Sequence, residues 1–166
     1  MKICDVLALP YSKDTAFSLN QQEEKTWGDF LTDSASLAFH LEQSPIKKWA
    51  LYCDDSYQFA VGFFALLQTQ KELLLPPNSQ DGTLAELKND IQGTISDNAY
   101  GELAHFTPIQ EQKHDYAFTT LEEDAKITLL TSGSTGERKA VHKTLEQLQR
   151  EITILEKTWG SAIKDD

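Results

Sequence analysis

The chain has 166 residues, 40% of them hydrophobic, and carries 26 acidic against 15 basic side chains for a formal net charge of −11. That length and apolar content suit one domain with a real core. The charge repels nucleic acid and anionic membrane, leaving only local cationic spots for phosphate groups.

The apolar run at 3–9 is short and broken by Asp5, and no other stretch reaches the length of a membrane span, so a cytoplasmic protein is expected. Cys4 and Cys53 fit reduced thiols and make no metal-ligand spacing with His40, His105, His114 or His142. The polar run 20–25 reads as a solvated loop. Thr26 and Asp29 then form a capping-box pattern, and Phe30, Leu37, Ala38 and Leu41 recur at helical spacing until Ser44-Pro45 stops them. This is an amphipathic helix whose stripe packs into the core.

The apolar run 49–53 suits a central strand, and 57–67, apolar nearly all round, a helix buried on two sides. Asp54 and Asp55 resemble a carboxylate pair, but immediately before a helix they read as an N-cap and a dipole partner. A short strand at 73–75 stops at Pro76-Pro77, a helix follows at 83–91, and Gly93–Ser96 is another short strand. The order β-α-β-α-β with right-handed crossovers predicts an α/β fold: three layers, with a mostly parallel sheet and helices on both faces. Between 98 and 124 the pattern fades, with turns at Tyr100-Gly101 and Thr107-Pro108. The acidic cluster 122–124 reads as a solvated face rather than a magnesium site, and His105 and His114 as structural or exposed.

The apolar run from Lys126 to Leu130 predicts a buried strand, and it leads into Thr131-Ser132-Gly133-Ser134-Thr135-Gly136-Glu137-Arg138-Lys139. Gly133 and Gly136 lack a Cβ and permit positive φ, so backbone N–H groups can converge on an anion. Thr131, Ser132, Ser134 and Thr135 add hydroxyls and Lys139 a charge, which makes phosphate the natural guest. Two familiar phosphate loops do not fit. A Walker loop needs Gly-Lys-Ser/Thr six positions on, where Arg138 and Lys139 stand, and the dinucleotide fingerprint needs a different glycine spacing. After the loop, 140–143 predicts a return strand, and Thr144 with Gln147 caps a last helix. That helix carries Leu145, Leu148, Ile152, Leu155 and Trp159 on one side and a Glu146–Arg150 pair on another.

The stretch 131–139 resembles the phosphate-loop signature of the adenylate-forming superfamily of acyl- and aryl-CoA synthetases, peptide-synthetase adenylation domains and luciferases. Eight of nine positions agree, and Arg138 stands where the family usually has Pro. The order of elements over 26–97 is similar to the first half of that family's N-terminal domain. The segment after the loop resembles the AMP-ligases associated with fatty-acid-like and aryl polyene synthesis.

The resemblance implies that Thr131, Ser132, Gly133, Ser134, Thr135, Gly136 and Lys139 bind the phosphates of ATP, with Mg2+ held through those phosphates. It implies a carboxylic acid as substrate and CoA or an acyl carrier protein as thiol acceptor, with no catalytic residue or metal ligand of its own in this stretch. Family members are several times longer. Their aromatic-Gly-x-Thr-Glu adenine motif, ribose-binding Asp and catalytic Lys have no counterpart here. Residues 1–166 therefore read as the N-terminal part of an adenylation domain, inactive by itself. The alternative reading is a non-catalytic module that binds a nucleotide or phosphate.

Overall fold

The structure, a computed structural model, describes residues 2–8, 10–19, 24–78, 80–97, 103–132 and 138–163. A 3₁₀ helix at Ile3–Ala8 is followed by an antiparallel hairpin of β1 (Ala16–Leu19) and β2 (Glu24–Thr26). Glu24 and Lys25 thus lie in a strand rather than in the expected loop; 20–23 and the Tyr100-Gly101 turn lie outside the described residues. Short, polar β2 has too few apolar residues to announce itself, and its pairing with β1 is what holds it.

The capping box is present as read: Thr26 accepts from the Asp29 N–H, and the Asp29 carboxylate accepts from the Thr26 N–H. It opens α1 (Trp27–Gln43), which stops at Ser44. β3 (Lys48–Tyr52), α2 (Ser56–Gln68), β4 (Glu72–Leu75), α3 (Asp81–Leu87) and β5 (Gly93–Ser96) follow in the predicted order. The helix expected over 83–91 instead ends at Leu87. Lys88, Asn89 and Asp90 form turns, which Asn and Asp favour, and these swing the chain back so that Ile91 is buried beside the sheet. No local pattern announces β6 (Ala104–Phe106), a three-residue edge strand. The chain then runs as β7 (Lys126–Ser132), β8 (Arg138–Thr144) and α4 (Leu145–Ile163).

The six-stranded sheet has the order β6-β5-β3-β4-β7-β8, parallel throughout except for the β7–β8 pair. Alternation along β3 divides the core. Trp49 and Leu51 enter a large cluster with Phe30, Leu37 and Leu41 of α1 and Val61 and Leu66 of α2. Ala50 lies on the other face with Leu87 and Ile91, on the α3 side. The helices therefore flank both faces. A Cβ added at Gly62 would sit 2.6 Å from Leu51 Cδ1, so that glycine lets α2 lie close against the sheet.

The segment 107–125 is fastened across α1. The His114 N–H donates to Ser36 Oγ at 3.0 Å, and Lys113 pairs with Asp33, a carboxylate in a residue only 5% exposed that also accepts from the Tyr57 hydroxyl at 2.7 Å. Lys113 is half-exposed, so its charge adds little. The buried Tyr57 hydroxyl needs its acceptor more. Asp33→Ala is expected to cost about 1–3 kcal/mol in urea denaturation, the penalty of an unsatisfied buried donor, and Asp33→Asn less, because it keeps an acceptor oxygen.

Candidate phosphate-binding hairpin

β7 is parallel to β4, which fixes its carboxyl end at the same side of the sheet as the ends of β3, β4 and β5. Open α/β sheets bind their ligands on that side. The antiparallel register of β7 and β8 runs from Lys126↔Thr144 to Ser132↔Arg138, so the segment joining the two strands lies at the carboxyl end of β7.

Thr131 and Lys139 are register partners, and Ser132 is paired with Arg138, so the strands extend further into the expected 131–139 loop than the sequence suggested. Gly133, Ser134, Thr135 and Gly136 lie outside the described residues. The Thr131 hydroxyl donates to the Lys139 carbonyl at 3.3 Å, tying the strands together. Of the two lysines on β8, Lys143 is committed to Glu151 of α4, at 2.5 and 2.7 Å. Lys139 is exposed and makes no ion pair among the described residues.

The rest of the carboxyl edge is acidic. The chain leaves β3 toward β4 but leaves β5 toward β6 on the opposite side, so the β3–β5 boundary is a topological switch point. Asp54, Asp55 and Asp97 stand there. The Asp54 N–H donates to Asp97 at 2.6 Å, and Asp55 accepts from the Gln58 N–H at 2.8 Å as the N-cap of α2. Asp55 is the N-cap expected from the sequence; Asp97 was not singled out. An Asp directly after a parallel strand, next to the strand that Cys53-Asp54 follow, was the available signal.

Burial, with the Asp97 carboxylate beside it, pushes the Cys53 thiol well above its ordinary range. Cys53 therefore stays protonated at neutral pH and is no nucleophile. Its labelling by a thiol-disulfide reagent at pH 8 is expected to run at least about 100-fold slower than that of a free thiol, because thiolate is the reacting form. Labelling of intact protein followed by peptide mapping distinguishes it from Cys4. A hollow of about 380 Å³ opens beside Cys53 at the ends of β3 and β4, lined also by Phe59, Leu75, Pro76 and Asn78. Among the described residues no three His, Cys, Asp or Glu side chains are grouped to hold a metal ion, and no helix is long and apolar enough to cross a membrane.

No protein-family profile and no curated protein sequence matches the chain. Solved structures do. The Klebsiella oxytoca NpsA N-terminal subdomain in complex with 3-hydroxybenzoyl-AMSN superposes with a TM-score of 0.65 at 20% identity, over 86% of this chain and 41% of that one. The fold is that of the NpsA N-terminal subdomain. O-Succinylbenzoate CoA synthetase (MenE) from Bacillus subtilis, solved with the acyl-adenylate intermediate OSB-AMP, matches with a TM-score of 0.59 at 16% identity, over 75% of this chain and 37% of that one. A MenE variant bound to its product analogue OSB-NCoA matches at 0.63 and 14% identity, over 80% and 31%. The chain thus spans well under half the length of these structures.

Proposed function

We propose that this chain is the N-terminal part of an ATP-dependent, AMP-forming ligase. Such a ligase activates a fatty or aryl carboxylic acid as its acyl-adenylate for transfer to the thiol of CoA or of an acyl carrier protein. One observation carries the reading: a segment rich in glycine and hydroxyls, ending in an exposed Lys139 that makes no ion pair among the described residues, joins β7 to β8 at the carboxyl end of a parallel sheet. The fold is also that of proteins solved with an acyl-adenylate or an AMSN compound.

In the proposed reaction a carboxylate oxygen attacks the α-phosphorus of ATP, and pyrophosphate leaves with the electrons of the broken P–O bond. Backbone N–H groups at Gly133 and Gly136, with the hydroxyls of Ser132, Ser134 and Thr135, would hold the β- and γ-phosphates. Thr131, bonded to the Lys139 carbonyl, would keep the strands at fixed spacing below them. Lys139 would offset the charge that builds on the departing pyrophosphate. Magnesium, entering on the phosphates, would add further charge neutralisation. ATP and CoA as substrates, and two free cysteines, are in keeping with the cytoplasm.

The test is ATP–pyrophosphate exchange by the complete gene product over a panel of fatty and aryl acids. Acid-dependent exchange supports the ligase. Pyrophosphate binding without exchange for any acid would mark a non-catalytic phosphate-binding module instead.

A further inference from the structure

We draw no further inference here: the strongest candidate, the groove of about 540 Å³ between α3 and the face of β4, β7 and β8 that bears Leu74, Leu130 and His142, carries nothing, because nothing in the structure shows what covers it.

Discussion

Trp49→Ala lowers the free energy of unfolding by about 3–5 kcal/mol, the usual range for emptying a large aromatic from a core. Trp49 is 0% exposed near the start of β3 and stacks on Phe106 of β6 at 5.2 Å with an interplanar angle of 17°. Its indole N–H donates to the Ile46 carbonyl at 3.3 Å. The ring also crosses β5, where a Cβ on Gly93 would meet its carbons at 2.6 to 3.0 Å. Truncation therefore removes the cover from β5 and the seat of β6 together. The parallel register that pairs Trp49 with Gly93 holds the walls apart, so the cavity cannot collapse. Gly93→Ala tests the same contact by overfilling and should cost about 1–3 kcal/mol. Urea denaturation reads both, and a Trp49→Ala loss below about 1 kcal/mol would mean that β3 is not the centre of the fold.

Lys139→Ala is expected to reduce acid-dependent ATP–pyrophosphate exchange by about 10²-fold, the order seen when one group that stabilises developing charge is removed. The same change should leave stability within about 0.5 kcal/mol, because the side chain is exposed and unpaired among the described residues. The pairing of a large activity loss with no stability loss separates a phosphate contact from a structural lysine. Lys139→Arg keeps the charge but changes its geometry, so partial recovery is the expected result. Exchange unchanged in Lys139→Ala would remove this lysine from the site.

Periodicity and capping made the middle of the chain legible. The Thr26–Asp29 box, the Asp55 cap, the strand after each turn and the β7–β8 return all have local causes, and local causes are written in consecutive residues. What escaped was decided at a distance. β1, β2 and β6 are three or four residues long and exist because a neighbouring strand offers its hydrogen bonds. The tie between Asp33, Tyr57 and Lys113 joins residues up to 80 positions apart, and nothing in their local patterns foretells it. The return from β7 to β8 was readable from residue types alone, but the acid-lined switch point at the same edge required the strand order.

The outer edge of β8 bears a second consequence. An edge strand offers unpaired backbone groups to any passing strand, and folded proteins guard such edges with charge. β8 reads Arg-Lys-Ala-Val-His-Lys-Thr, with three basic residues and no acidic one, in a chain whose acids outnumber its bases by 26 to 15. A second copy approaching edge to edge would have to bring these cations together before any ladder could form. The basic residues of β8 thus oppose growth of the sheet from this edge. Neutralising substitutions on β8 would expose the protein to edge-to-edge self-association.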